Sequence, residues 1–172
     1  MAVISIPEQY HLWYYDEAAV WTRTTFLGVP CLKSVSDMWN YQEILSELRP
    51  SLVIEFGSYA GGSALFFAEI LKLITPRSRV LSIDIDHSRL APAARQNQHI
   101  EFLRNDTTSQ ATQHRISQLR DEFPGHAFFI LDSNHTKQHV LRELHQLRSL
   151  TVPGDYVVVE DGCINGHPVL PN

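Results

Sequence analysis

Residues 52–63 read Leu-Val-Ile-Glu-Phe-Gly-Ser-Tyr-Ala-Gly-Gly-Ser, a short apolar run that breaks into a glycine-rich turn. An apolar stretch of helical length, from Gly62 to Ile74, follows directly, so the local reading is strand, loop, helix. The same grammar recurs downstream. Residues 79–83 (RVLSI) lead into Asp84-Ile85-Asp86, with a short helix expected before Gln98. Residues 100–103 (IEFL) lead into Asn105-Asp106-Thr107, after which Ile116, Leu119 and Phe123 keep helical spacing. Residues 127–131 (AFFIL) end at Asp132-Ser133-Asn134-His135, and Val140, Leu141, Leu144 and Leu147 then share one helical face. Residues 156–159 (YVVV) end at Glu160-Asp161-Gly162. Continuous apolar strands alternating with helices predict an α/β fold: a parallel sheet with helices on both faces.

Upstream of Ser51 the chain is aromatic, with Tyr10, Trp13, Tyr14, Tyr15, Trp21, Phe26, Trp39 and Tyr41. From Met38, the positions Tyr41, Ile44, Leu45 and Leu48 predict a helix that Pro50 closes. Residues 1–50 are therefore read as an N-terminal arm and helix, and residues 51–172 as the sheet-bearing core of one structural domain. The 172 residues are 44% hydrophobic and 19% charged, enough to bury a core and too apolar for bulk disorder. Lys plus Arg is 14 against 19 Asp plus Glu, a net charge of −5 that argues against a nucleic-acid or anionic-membrane partner. The most apolar stretch, Leu65 to Ile74, carries Glu69 and Lys72 and falls short of a membrane span. The N-terminus has no signal-peptide pattern, and Cys31 and Cys163 are too few for a disulfide framework or thiolate cage. A cytoplasmic globular domain is expected.

In an open parallel sheet, ligands bind beyond the carboxyl ends of the strands, where the strand order reverses. The first strand end carries Glu55, Gly57, Ser58, Gly61, Gly62 and Ser63. A phosphate-binding P-loop would need a lysine after the last glycine, where Ser63 and Ala64 stand. A dinucleotide fingerprint would need glycine where Tyr59 stands. An acid just before Gly-x-x-x-Gly instead suits a ligand with an amino group and a carboxylate, such as S-adenosylmethionine. Asp84 could then accept from two ribose hydroxyls, and Asn105, Asp106 and Thr107 would face an adenine edge. Glycine loops between strand and helix also occur for structural reasons alone.

Asp132 closes the fourth strand and Glu160-Asp161 the fifth, so three carboxylates should lie side by side. Such a cluster is costly unless protons or a cation neutralise it, and oxygen-only ligands suit Mg²⁺. Separately solvated loop acids are the other reading. His135 and His139 lack the glutamate and third ligand of a zinc helix, and His139 and His145 are read as solvated. His135, three residues past Asp132, could be a general base, a substrate contact or a turn former. Nothing marks Cys163 as an activated nucleophile. The aromatic arm is read as core packing or an oligomer contact rather than a stacking platform.

Several runs, taken as a set, resemble the cephalosporin hydroxylase / rhamnosyl O-methyltransferase family. They are Trp21 to Pro30 (WTRTTFLGVP), Lys33, Asp37 to Glu43 (DMWNYQE), Glu55-Phe-Gly with Gly61-Gly-Ser63, Leu131 to Thr136 (LDSNHT) with Val140-Leu141, Val159-Glu-Asp161, and Asn165 to Pro171 (NGHPVLP). The resemblance covers nearly the whole chain from Tyr10 onward. It implies a Rossmann-like class I fold and an S-adenosylmethionine-dependent, Mg²⁺-assisted O-methyltransferase. The acceptor would be a small-molecule hydroxyl on a sugar, a glycoside or an antibiotic-type natural product. By position, Glu55, Gly57, Ser58, Gly62 and Ser63 would line the methionine end of the cofactor. Asp84 would take the ribose and Asp106 would sit near adenine, while Asp132, Glu160 and Asp161 match the family's Mg²⁺ carboxylates. His135 is the candidate for proton removal, with Asp132 beside it. Lys33 and Gln42 fall in the family's N-terminal motif without an assigned role.

Methyltransferases of this fold continue past the fifth strand with a helix and two more strands, whereas this chain stops at Asn172. A sheet incomplete at its C-terminal edge is therefore expected, and with it a homo-oligomer that covers the edge. Two other readings stand beside the enzyme: a non-catalytic or truncated cofactor-binding protein of the same fold, and a nicotinamide-dependent oxidoreductase. Tyr59 and the three acids speak against the latter.

Overall fold

The computed structural model describes residues 5–162. Cys163 and the run from Asn165 to Pro171 lie outside the described residues. The arm begins with α1 (Ile6–His11), nucleated by a capping box in which Ser5 accepts from the Glu8 amide and the Glu8 carboxylate accepts from the Ser5 amide. A π-helical turn (Leu12–Glu17) and a 3₁₀ turn (Val20–Arg23) carry the chain into a two-stranded hairpin, β1 (Thr25–Phe26) and β2 (Val29–Pro30). Its two-residue turn places Leu27 at φ 49° and Gly28 at φ 79°, the left-handed pair that a type I′ hairpin requires. The helix expected from Met38 starts earlier, as α2 (Val35–Leu48); it ends on left-handed Arg49 ahead of Pro50.

The core then alternates β3 (Leu52–Phe56), α3 (Gly62–Ile74), β4 (Arg79–Asp84), α4 (Pro92–Arg95), β5 (Ile100–Arg104), α5 (Gln110–Glu122), β6 (Ala127–Leu131), α6 (Lys137–Leu147) and β7 (Tyr156–Val159). The five core strands are parallel, in the order β5-β4-β3-β6-β7. The chain builds outward from β3 to β5, returns across β3, and builds out again through β6 and β7. The order thus reverses between β3 and β6, where an α/β sheet leaves its crevice.

Each face of the sheet has its own apolar core. Val53, Val80, Phe128 and Ile130 pack with α2 and α3 through Tyr41, Leu45, Phe67 and Leu71. Ile54, Phe56, Leu81, Ile83 and Phe129 pack with α5 and α6 through Ile116, Leu119 and Leu147. Every residue of β3 and β6 is buried, which explains their unbroken apolar sequence. The aromatic arm divides in two: Tyr14 and Tyr41 are buried, while Tyr10, Trp13 and Trp39 remain exposed. Among the described residues no helix is long and apolar enough to cross a membrane.

Candidate functional site

The strand ends at the crevice converge on a cavity of about 550 Å³, lined by the glycine loop, the ends of β4, β5 and β6, and the arm at Pro30 to Lys33. The loop is shaped by what its glycines permit. Gly57 sits at φ 100°, and a Cβ there would stand 2.0 Å from the Asp132 carbonyl oxygen. A Cβ at Gly62 would stand 2.3 Å from the Pro30 carbonyl oxygen, so the second glycine lets the arm lie against the start of α3. Asp84 Oδ2 accepts from the amides of Ser58 (2.9 Å) and Tyr59 (3.1 Å), and Oδ1 accepts from Asp86 N. The carboxylate expected to take a ribose thus also ties the glycine loop to the neighbouring strand.

Glu55 lies beneath the loop, fully buried. Pairing with Ser82 across the β3–β4 ladder brings the Ser82 hydroxyl to Glu55 Oε2 at 2.6 Å. Ser82 spends its proton there, so the Ser58 hydroxyl donates to Ser82 (2.7 Å). Glu55 Oε1 is buried without a hydrogen-bond partner among the described residues. Burial pushes this carboxyl up to about 7, with Lys33 and the serine hydroxyls pulling the other way.

The acids at the ends of β6 and β7 do lie together, and Lys33 joins them from the arm. Its ammonium donates to Asp132 Oδ2 (2.6 Å) and to Glu160 Oε1 (2.8 Å), with only 5% of its side chain exposed. Burial disfavours this cation, but Asp132 and Glu160 outweigh that and hold its pKa well above the ordinary lysine value. The Tyr41 hydroxyl, on α2, also donates to Glu160 Oε1. Burial and the Glu160 charge raise the Tyr41 pKa, so it remains a donor. Burial likewise raises Asp132, with Lys33 opposing.

On the open side of this cluster, His135 Nε2 lies 3.1 Å from Asp161 Oδ2 and 3.8 Å from Asp132 Oδ1. Asp161 adopts φ 56°, a left-handed conformation in which Asp is tolerated better than most residues. One donor atom from each of Asp132, His135 and Asp161 falls within 4.8 Å of the others, a grouping able to hold a metal ion. Glu160 differs from the expected trio of carboxylates in being turned toward Lys33 and Tyr41.

A second polar knot sits behind the cavity wall. Glu143 on α6 is 1% exposed, and its Oε1 accepts from the Thr107 and Ser133 hydroxyls, each at 2.6 Å. His139 Nε2 lies 3.0 Å from the same oxygen. The expectation that His139 is solvated is corrected: its side chain is 12% exposed because the Glu143 spacing draws it inward. His145 is exposed, as expected. Leu141, expected on the apolar face, is also exposed, and Glu143 points inward instead.

Of the cofactor residues expected from sequence, Gly57, Ser58, Gly62, Ser63, Asp84 and Asp106 all line the cavity, with Glu55 packed below. Asp106 is exposed and caps its own turn, accepting from the amide and hydroxyl of Thr108. Asp132, His135 and Asp161 also line the cavity. Gln42 is half-buried on α2. Lys33 and Glu143 were not assigned from sequence. A signal existed for each: Lys33 is the only charge between Arg23 and Asp37, and Glu143 falls three residues after Val140 on an otherwise apolar stripe.

The donor chemistry suits both ligands that the sequence implied. Gly57 and Gly62 let the loop close against Asp132 and Pro30, which sets its Ser58 and Ser63 on the cavity wall, and a buried Glu55 oxygen lacks a partner beneath it. Asp132 and Asp161 supply the hard oxygens that a divalent cation prefers.

The sequence model of the family described as Rhamnosyl O-methyltransferase/CmcI matches residues 18–172. A rhamnosyl O-methyltransferase of Mycobacterium leprae (strain TN) is 56% identical over 167 residues, covering 97% of this chain and 72% of that protein. One from Mycobacterium tuberculosis (strain CDC 1551 / Oshkosh) is 53% identical over 167 residues, covering 97% of this chain and 68% of that protein. Among solved structures, an apo form of CmcI superposes with a TM-score of 0.69 at 27% identity, over 81% of this chain and 57% of that one. A CmcI structure with Mg and SAM gives 0.65 at 26% identity, over 82% of this chain and 58% of that one. The chain therefore spans about two thirds of these curated relatives and less than two thirds of the CmcI chains.

Proposed function

The chain belongs to the rhamnosyl O-methyltransferase/CmcI family, and from that premise we propose that it moves the methyl group of S-adenosylmethionine to a hydroxyl oxygen of a sugar-bearing small molecule. The observation that carries the reading is convergence. The glycine loop, the Asp84 carboxylate and the Asp132–His135–Asp161 group open onto one cavity at the reversal of strand order. When bound, S-adenosylmethionine would supply an electrophilic methyl on a sulfonium, and Mg²⁺ would polarise the acceptor oxygen.

The chain's own residues bind and orient. The loop at Gly57, Ser58, Gly62 and Ser63 would cradle the methionine end over Glu55, and Asp84 and Asp106 would face ribose and base. Asp132 and Asp161 would hold the cation, joined by Glu160 through Oε2, since Lys33 and Tyr41 occupy its Oε1, and His135 would stay outside the ligand set. Lys33 offsets one of their three negative charges and leaves two, which matches one divalent ion. Lys33 and Tyr41 occupy Glu160 Oε1 and so orient that side chain from the arm side. His135, 3.1 Å from Asp161, would accept the proton of the acceptor hydroxyl; the acids beside it hold its ring toward the cavity. Most of the rate would come from alignment, because in-line displacement needs both partners at attack distance.

A cytoplasmic setting and assembly of identical chains belong to the same proposal; β7 is an edge of the described sheet, with Tyr156, Val157 and Val159 exposed. The test is transfer of labelled methyl from S-adenosylmethionine to a panel of glycosides, rhamnosides included, in Mg²⁺ and in EDTA. Transfer that requires Mg²⁺ and is abolished in Asp132→Ala is expected. Equal transfer in EDTA, or in the folded Asp132→Ala variant, would remove the metal from the account.

A further inference from the structure

Glu143 is a buried acid that the proposed chemistry does not use, yet it grips three groups on the cavity wall. The Thr107 and Ser133 hydroxyls each donate to its Oε1 at 2.6 Å, the short distance of a charge-assisted bond. A hydroxyl has one proton, so with both protons turned inward these residues offer the cavity only lone pairs. His139 completes the arrangement. Arg142 Nη2 lies 3.2 Å from His139 Nδ1, and a guanidinium can only donate, so the ring proton belongs on Nε2. That Nε2–H faces Glu143 Oε1 at 3.0 Å and lies equally close to Thr107 Oγ1. Thr107 and Ser133 line the cavity beyond the ends of β5 and β6 and His139 lines it from α6, whereas Glu143, one turn further along α6, lies behind them.

We infer that Glu143 is a positioning residue that fixes Thr107 and Ser133 as a pair of acceptors, and that this pair selects an amino-bearing heteroaromatic base over its carbonyl-bearing counterpart. The inference rests on the cofactor reading above and adds to it a specificity determinant. An amino group can donate to these oxygens. A carbonyl oxygen in its place would face lone pairs with no proton to share, at a wall where Thr107 is only 4% exposed. Asp106 Oδ1 is engaged by its own turn through Thr108 while Oδ2 stays open on the cavity, so Thr107 and Ser133 add two further acceptors beside it, and theirs is the share of the discrimination that Glu143 controls.

The experiment compares two calorimetric titrations, S-adenosylhomocysteine and S-inosylhomocysteine, which differ at this one position of the base and its ring proton. For the unaltered protein, loss of one hydrogen bond at a wall where Thr107 is buried predicts weaker binding of the inosyl compound by about tenfold or more. In Glu143→Leu both hydroxyls are released to donate, and the preference should fall to within about threefold. Ser133→Ala, at a half-buried position, removes one acceptor without touching the buried acid and should lower the ratio as well. If Glu143 only braces the fold, both ligands weaken together and the ratio stands, which overturns the inference while leaving the cofactor reading intact. An unaltered protein that binds both compounds equally also overturns it. Failure of a folded, unaltered protein to bind either compound overturns the cofactor reading and this inference with it.

Discussion

Gly57→Ala tests whether the glycine loop and the acidic cluster are one mechanical unit. The position demands glycine twice over. Its φ of 100° lies in the region that costs an L-residue about 1–2 kcal/mol. The new Cβ would also stand 2.0 Å from the carbonyl oxygen of Asp132 and 2.7 Å from its carbonyl carbon. Those are backbone atoms, pinned by the Asp132 amide donating to the Phe56 carbonyl at 2.8 Å, so no side-chain rotation relieves the contact. Overpacking of this kind adds about 1–3 kcal/mol, for a total of about 2–5 kcal/mol. Gly28→Ala is the control, because Gly28 has φ 79° but a Cβ there meets nothing within 4 Å. It should cost only the conformational part, about 1 kcal/mol. Urea denaturation of both variants gives the difference, and Mn²⁺ titration followed by EPR reads the site. The expected result is a loss at Gly57 at least about 1 kcal/mol beyond that at Gly28, with weakened Mn²⁺ binding as Asp132 is pushed outward. Equal losses for the two variants, with Mn²⁺ affinity unchanged at Gly57→Ala, would refute the coupling.

Three further outcomes follow from the geometry. Burial lifts the Glu55 carboxyl from an ordinary 4.5 to about 7. A raised folded-state pKa contributes stability that is present below about 4.5 and lost as pH rises through about 7, an effect of roughly 3 kcal/mol. Glu55→Gln should therefore flatten the fall in urea stability across that window, and an unchanged pH profile would contradict the assignment. Leu27 holds φ 49° in a type I′ turn while 71% exposed, so Leu27→Asn should stabilise by about 1 kcal/mol in the same assay. Lys33→Met leaves Asp132 and Glu160 without their shared cation and should cost about 3 kcal/mol, discounted from a fully buried pair because Asp132 is partly exposed. Saturating Mg²⁺ should raise the melting temperature of Lys33→Met more than that of the unaltered protein; an equal rise would argue that Lys33 does not balance the metal carboxylates.

The core strands were legible because parallel strands buried on both faces leave unbroken apolar runs; β3, β6 and β7 match the sequence reading residue for residue. The site residues at strand ends were legible for a related reason, since topology alone brings Gly57, Asp84, Asp132 and Asp161 to one end of the sheet. Polar partners drawn from elsewhere in the chain were not. Lys33 reaches Glu160 across 127 positions of sequence, and no local pattern encodes that contact. Glu143 was passed over because an acid on an amphipathic helix ordinarily faces water, and its burial depends on Thr107 and Ser133 arriving from two other loops. His139 was misjudged with it. Asp84 shows the converse limit: its place was predicted, but not its two bonds to the loop amides, because those depend on the left-handed turn at Tyr59.

The account stands most directly on whether this cavity takes the methyl donor. Calorimetric titration of S-adenosylmethionine into the 172-residue chain, with Mg²⁺ and then with EDTA, addresses it. The account predicts saturable binding of one ligand per chain, weakened when Asp84→Asn loosens the loop it holds. A chain that unfolds cooperatively in urea, and is therefore folded, yet gives no binding heat at several temperatures in either buffer would contradict it.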